Sequence, residues 1–372
     1  MTVKITGGKV FDSKTHKFVE RDIFYADGKI VEGTTADRTV ITNAYIVPGY
    51  VDIHTHGRAG VDILEANCAE LTKLSLAYAQ GGVTTVFPTV MTAPMEKIER
   101  AIENIRSTLD AGASFSGIHV EGPYISAKKP GCHDVSLIRK PIFEEMRELA
   151  AKIFPLKVRF TIAPEECDDG VIEKLSWLSS VSIGHTNATA EQCEKALSEG
   201  ASSFTHTFNA MTALTHRNTG AAGAALATGA FAEFICDGLH VSPTAIKAAY
   251  NAKMRHPGTF VIITDSIPQA GLPYGEYRMN GIPFTLSADG AKEADGTIVG
   301  SAGSMHASVM NLMKFCDISF EEALVCATEN PAKAVGLFDS IGSLDQGKRA
   351  DMILLDEGLN IRKVIARGNE II

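Results

Sequence analysis

The sequence predicts an α/β fold: a (β/α)8 barrel of the TIM type, with a small β-sandwich domain formed by the N- and C-terminal segments. Three observations lead there. Eight short apolar, β-rich runs alternate with stretches of helical periodicity through the middle of the chain. Six of those runs are followed at once by His, Asp or Glu. The two chain ends instead read as short strands separated by turns.

The runs cover 50–53, 84–87, 117–120, 158–162, 181–184, 202–205, 233–236 and 260–264. Helical periodicity lies between them at 70–80, 95–109, 143–151, 190–198 and 243–254, and after the eighth run at 305–316 and 320–335. Strand–helix alternation implies parallel strands joined by crossover helices, and eight units imply a closed barrel. A doubly wound open sheet is the alternative. It would carry a glycine fingerprint after the first strand, and residues 57–60 do not fit one.

At the N-terminus, 3–6 and 22–25 alternate in strand fashion, with Gly7-Gly8 and Asp27-Gly28 as turns. Asp27-Gly28 between Ile23-Phe24-Tyr25 and Ile30-Val31 is a hairpin signature. Strands are expected again at 350–355 and 361–366. The expected division is therefore 1–48 plus 341–372 as the small β domain and 49–340 as the barrel. A separate C-terminal β domain is the competing arrangement.

A chain of 372 residues is too long for one small core, and 45% apolar with 21% charged residues is ordinary for a globular protein. The net charge of −9 disfavours a nucleic-acid partner, and an anionic substrate would need a locally positive pocket. The seven cysteines (Cys68, Cys132, Cys167, Cys193, Cys236, Cys316 and Cys326) form no CxxC pair. They read as free thiols of a cytoplasmic protein. Residues 1–10 do not read as a signal peptide, and no run of about 18 apolar residues exists to span a membrane.

In such barrels the reactive groups gather at the C-terminal ends of the strands. The first run ends in Asp52-Ile53-His54-Thr55-His56, the third in His119-Val120-Glu121, the fifth in Gly184-His185 and the sixth in His206. Asp237 and His240 follow the seventh, and Asp265 follows the eighth. Side chains two apart on a strand share a face, so His54 and His56 can turn toward one ion. Each of these residues alone has an ordinary structural explanation, such as a cap or a satisfied core group. Together, His54, His56, Glu121, His185, His206 and Asp265 form a nitrogen and carboxylate set suited to one or two divalent ions. Zn2+ leads, with Fe2+, Mn2+ and Co2+ as alternatives. His119 has no evident partner, and His16 and His256 are expected in solvated loops.

At these motifs the chain resembles the N-acetylglucosamine-6-phosphate deacetylase family of the amidohydrolase superfamily. Pro48-Gly49-Tyr50-Val51-Asp52-Ile53-His54-Thr55-His56-Gly57 looks like the amidohydrolase opening. His119-Val120-Glu121-Gly122-Pro123-Tyr124, Gly184-His185-Thr186-Asn187-Ala188, Thr205-His206-Thr207-Phe208-Asn209-Ala210-Met211 and Asp237-Gly238-Leu239-His240 resemble the family's own motifs. The order and spacing match along essentially the whole chain.

The resemblance implies roles. Glu121, His185 and His206 would hold the metal common to the family. His54 and His56, with Glu121 and Asp265, would hold a second. Asp265 would be the general acid/base, and His133 a candidate oxyanion donor. Asn209 and Ala210 would contact the substrate, with Cys132, Ile298, Val299 and Gly300 at further sugar-contacting positions. Arg217 and His240 would contact the 6-phosphate of an amino-sugar phosphate across a homodimer interface. The implied reaction is hydrolysis of N-acetylglucosamine 6-phosphate to glucosamine 6-phosphate and acetate.

Three positions depart from the family pattern: Ser266, Cys132, and the residues just after Arg217. They could retune the pocket toward N-acetylgalactosamine 6-phosphate. A cyclic-amide hydrolase of the dihydroorotase kind is the nearest rival. It would bridge two metals with a lysine from the fourth strand, where this chain has none except Lys157 at the entry end. A non-catalytic sugar-phosphate sensor would be expected to have lost a ligand, and none is missing.

Overall fold

The computed structural model describes residues 1–108, 115–279, 282–296 and 298–372. Eight parallel strands run in chain order around one sheet: Tyr50–Thr55, Val83–Met91, Gly117–Glu121, Lys157–Ile162, Ser180–Ile183, Ser203–Phe204, Phe231–Ile235 and Phe260–Ile263. They are called the first to eighth barrel strands below. The first and eighth meet at a seam, where the Asp265 N–H donates to the His54 carbonyl at 2.9 Å. Asp52 stitches the same seam. Its carboxylate accepts the Thr264 hydroxyl at 2.5 Å and the Thr264 N–H at 3.3 Å.

The strands are buried except at a few end residues such as Lys157, and the crossover helices lay their apolar stripes on them, as Ile98, Ala101, Ile102 and Ile105 do on Met95–Thr108. The expected end of that helix, Leu109, lies outside the described residues. Asn67 starts the helix Cys68–Gln80 with a reciprocal cap: its side chain accepts from the Ala69 and Glu70 N–H groups, and Glu70 accepts from the Asn67 N–H.

Both chain ends contribute to a β-sandwich. Met352–Leu355 pairs antiparallel with Tyr45–Pro48 in a six-stranded sheet. A four-stranded sheet from residues 3–41 covers it, and Ile5, Ile23, Ile46, Met352 and Ile365 pack between the two. The hairpin at Asp27-Gly28 forms as its composition requires, with both residues at positive φ (50° and 75°).

Two features differ from the sequence reading. The helix expected over 320–335 is broken into Phe320–Val325 and Glu329–Ala334. Pro331 has no N–H to offer the Ala327 carbonyl, which instead accepts from Val51 of the first strand at 2.9 Å. The Cys326 carbonyl likewise accepts from Ile262 of the eighth strand at 2.9 Å. Tertiary hydrogen bonds thus replace helical ones. The second feature is a four-stranded antiparallel sheet (Gly275–Met279, Ile282–Ser287, Gly290–Lys292 and Ile298–Gly300) inserted after the eighth strand around Ile267, Phe284 and Leu286.

Candidate metal centre and active site

Glu121, the last residue of the third strand, is 2% exposed and stands at the centre of the C-terminal mouth. Its two oxygens face different partners. Oε1 lies 3.0 Å from His206 Nε2 and 3.3 Å from His185 Nε2. Oε2 lies 2.9 Å from His56 Nε2 and 3.2 Å from His54 Nε2. Asp265 Oδ1 completes the second group, 3.3 Å from both His54 and His56. Among the described residues, His54–His56–Glu121 and Glu121–His185–His206 are the two sets whose ligand atoms converge closely enough for an ion. One carboxylate bridges two histidine pairs.

The donor set fits divalent cations on two further grounds. Paired imidazole nitrogens face each other, 3.4 Å apart in His54/His56 and 3.0 Å apart in His185/His206. A cation placed between two such nitrogens would meet a lone pair from each ring in its neutral form. The His185 Nδ1–H donates to the Lys129 carbonyl at 3.0 Å, which turns the Nε2 lone pair inward. Burial pushes His185 down to about 4, keeping it neutral and able to ligate.

On the other side, burial opposes charge on His54 and His56, but Glu121 and Asp265 outweigh it. His56 is raised to about 9 and His54 well above the usual imidazole range. Against burial, the same attraction holds the Glu121 and Asp265 carboxyls well below the carboxylate range. Protons balance negative charge that a cation would meet.

The backbone is strained here. His185, His206, Phe208, Ala210 and Asp265 all sit at positive φ (47°, 29°, 83°, 46° and 46°). Such conformations cost on the order of 1–3 kcal/mol each for residues with a Cβ and gather at functional sites. Of these residues, His185, His206 and Asp265 place their side chains in the ligand cluster.

Of the other expected residues, Cys132 and His240 lie within electrostatic reach of Asp265. Cys132 opens to solvent on the 129–133 loop that covers His185. Crowding by protein atoms, with the carboxylates of Glu121 and Asp265, pushes its thiol up to about 12. On the same loop, His133 Nδ1 accepts from the Thr92 N–H at 3.3 Å. In the neutral ring its Nε2 therefore carries the proton, 3.7 Å from Glu121. Asn209 folds onto the His206 carbonyl at 3.3 Å, and the Ala210 carbonyl accepts from Thr186 at 3.1 Å.

Ile298, Val299 and Gly300 form the last strand of the inserted sheet, which leads into Ser301 beside Ser266. A Cβ on Gly300 would lie 2.3 Å from Ile267, so this close approach requires glycine. His240 Nδ1 is 2.6 Å from Asp237 Oδ2. Arg217 is exposed and makes no hydrogen bond or ion pair among the described residues.

One reading needs correction. His119 does have partners: Nε2 meets Thr161 Oγ1 at 2.7 Å, Nδ1 meets Thr89 Oγ1 at 3.2 Å, and its ring stands edge-on to His54. Burial keeps it well below the usual range, so it forms a neutral wall. His16 is exposed in a turn, as expected, with its Nε2 3.2 Å from the carboxylate of the buried Glu329. Ser266, the departure beside Asp265, is fully buried and bonds the Gly57 carbonyl at 2.7 Å and Thr55 Oγ1 at 2.9 Å. Sequence reasoning missed Arg159 and Glu233, which lie directly beneath the site. Their signal was a charge in the middle of an apolar run.

The amidohydrolase family model matches residues 45–371. N-acetylglucosamine-6-phosphate deacetylase of Bacillus subtilis (strain 168) is 34% identical over 88% of this chain and 84% of its own length. The chain belongs to the amidohydrolase family, among the N-acetylglucosamine-6-phosphate deacetylases. N-acetylgalactosamine-6-phosphate deacetylase of Escherichia coli O157:H7 is also 34% identical, over 92% of each chain. In three dimensions, N-acetylglucosamine-6-phosphate deacetylase from Pasteurella multocida superposes with a TM-score of 0.91 at 25% identity, covering 100% of this chain and 99% of that one. No helix among the described residues is long and apolar enough to cross a membrane.

Proposed function

We propose that this chain hydrolyses the acetamide of N-acetylglucosamine 6-phosphate, giving glucosamine 6-phosphate and acetate. The observation that carries the reading is the bridging of two histidine pairs by Glu121 beside Asp265, in a chain akin to deacetylases along almost its whole length. Glu121, His185 and His206 would hold one ion, and His54, His56, Glu121 and Asp265 a second. Zn2+ suits these donors best. When bound, a divalent ion lowers the pKa of water and polarises the acetyl carbonyl.

The chain's own residues do the rest. The Asp265 carboxylate takes a proton from the attacking water and passes it to the leaving nitrogen. The His133 Nε2–H donates to the acetyl oxygen as negative charge develops there. Asn209, Ala210, Cys132 and the 298–300 strand would orient the sugar. His240 and Arg217 would take the phosphate, Arg217 from the partner subunit of a homodimer. An unpartnered, exposed guanidinium supports that role, because its donors match phosphate geometry. Seven free thiols support a cytoplasmic enzyme. The pairing of residues 45–48 with 352–355 supports a division into 1–48 plus 341–372 and 49–340.

A galacto substrate is the second reading, favoured by the equal identity of the N-acetylgalactosamine-6-phosphate relative. A cyclic amide is disfavoured, since Lys157 stands exposed at the entry end of the fourth strand. Acetate release from the two 6-phosphates and their unphosphorylated forms, with metal analysis of the same sample, tests the reading. Activity on the gluco 6-phosphate that disappears on chelation and returns with Zn2+ is expected. Full activity after verified metal removal would contradict it.

A further inference from the structure

Beneath the mouth, the barrel interior holds an ion pair where branched apolar residues are usual. Arg159 of the fourth strand and Glu233 of the seventh are both fully buried and in direct contact. A buried pair of this kind seldom stabilises a fold better than apolar side chains of the same volume. Its contacts indicate another use. Glu233 Oε2 is 3.4 Å from His54 Nδ1 and accepts the His206 main-chain N–H at 3.3 Å. One carboxylate thus touches one histidine of each pair in the site above. Arg159 Nη2 also donates to Ser182 Oγ at 2.9 Å, and its Nε and Nη1 have no hydrogen-bond partner among the described residues.

We propose that Glu233 is a positioning residue that sets the ligating state of His54, with Arg159 holding the Glu233 carboxylate in place. The inference rests on the two-ion reading above. A carboxylate only accepts, so the proton of a neutral His54 ring is drawn to Nδ1 and the Nε2 lone pair is left facing Glu121 and Asp265. His119 meets the ring edge-on at 4.5 Å and limits its rotation. His56 has no such aid, since its Nδ1 is without a hydrogen-bond partner among the described residues. The His54/His56 ion therefore depends on Glu233 through His54. The ion at Glu121, His185 and His206 has its own support in the Lys129 carbonyl behind His185.

The test is Co2+ titration of the full-length metal-free chain against a competing chelator, followed by visible absorption, for the parent and Glu233→Gln. The parent should take two ions. Glu233→Gln should bind the His54/His56 ion roughly 10- to 100-fold more weakly, with an altered absorption band for that ion and a smaller change at the other. A structural role alone would lower the melting temperature and leave both spectra unchanged. If the single variant does not fold, Arg159→Met with Glu233→Gln removes both charges and should show the same selective weakening. Parent affinity for both ions in a folded variant overturns this inference alone. A parent that binds no ion at either pair overturns the metal reading and this inference with it.

Discussion

At the N-terminal pole of the barrel Lys253 is 2% exposed, and its ammonium donates to three carbonyls, Ala225 at 3.1 Å, Thr228 at 2.8 Å and Ala230 at 2.7 Å. At the C-terminal pole His54, His185, His206 and Glu121 are comparably buried and His56 and Asp265 partly so, yet the histidine nitrogens face one another, and the Nδ1 atoms of His56 and His206 lack hydrogen-bond partners among the described residues. Lys253 closes the last turns of the helix Gly220–Ala227, and every donor it has is used. The mouth has converging donors and acceptors that the protein leaves incompletely matched. Buried charge that is fully matched holds a fold together, whereas convergent, under-matched charge in strained backbone is a site waiting for a ligand.

The largest expected break in this contrast is Asp265→Asn. It should lower kcat on N-acetylglucosamine 6-phosphate by roughly 10²- to 10⁴-fold while ion content and melting temperature stay near the parent values. Near-normal turnover would move the proton-transfer role to another residue. At the opposite pole, Lys253→Met should leave three carbonyls unpaired and cost about 2–4 kcal/mol in urea unfolding, with kcat/KM of the folded enzyme unchanged. Loss of activity without loss of stability would erase the distinction between the poles.

Arg217→Ala sharpens the comparison with a group that is exposed and unpartnered. It should lower kcat/KM about ten- to a hundredfold on the 6-phosphate and leave the unphosphorylated amide unaffected. Equal losses on both substrates would argue against phosphate recognition.

The smallest effect belongs to a locally matched pair at the mouth. Burial opposes charge on both Asp237 and His240, but their mutual hydrogen bond prevails, lowering the aspartate and raising the histidine. The histidine's contribution is complete below pH about 6.5 and fades as pH climbs through its raised pKa. The aspartate's is complete above about 3.8 and fades as pH falls through its lowered one. Asp237→Asn should therefore lower the free energy of urea unfolding more at pH 6 than at pH 9, by about 1 kcal/mol or less. An equal gap at both values would show that the pair is not ionised.

Much of the site could be read before folding because a barrel converts strand order into spatial order. Once His54, Glu121, His185, His206 and Asp265 were placed at the C-terminal ends of the first, third, fifth, sixth and eighth strands, their convergence followed. What remained hidden depended on contacts between distant segments. The break at 326–328 arises because Val51 and Ile262 take carbonyls from a helical stretch. The sheet over 275–300 has a small core of its own around Phe284 and Leu286, and its short strands gave no clear period in the sequence. Arg159 and Glu233 were visible as charges within apolar runs, but their partnership across the barrel was not. Ser266 looked like a pocket residue from its neighbour Asp265, and the left-handed turn at Asp265 points the two side chains apart.

The central claim is that Glu121 joins two histidine pairs around bound cations. Anomalous diffraction at the zinc edge from crystals of the full-length chain grown with Zn2+ tests it most directly. The account predicts one peak about 2.0–2.2 Å from Glu121 Oε1, His185 Nε2 and His206 Nε2, and a second near Glu121 Oε2, His54 Nε2 and His56 Nε2. A mouth without anomalous density, with these side chains hydrogen-bonded to one another and the zinc bound elsewhere, would contradict it.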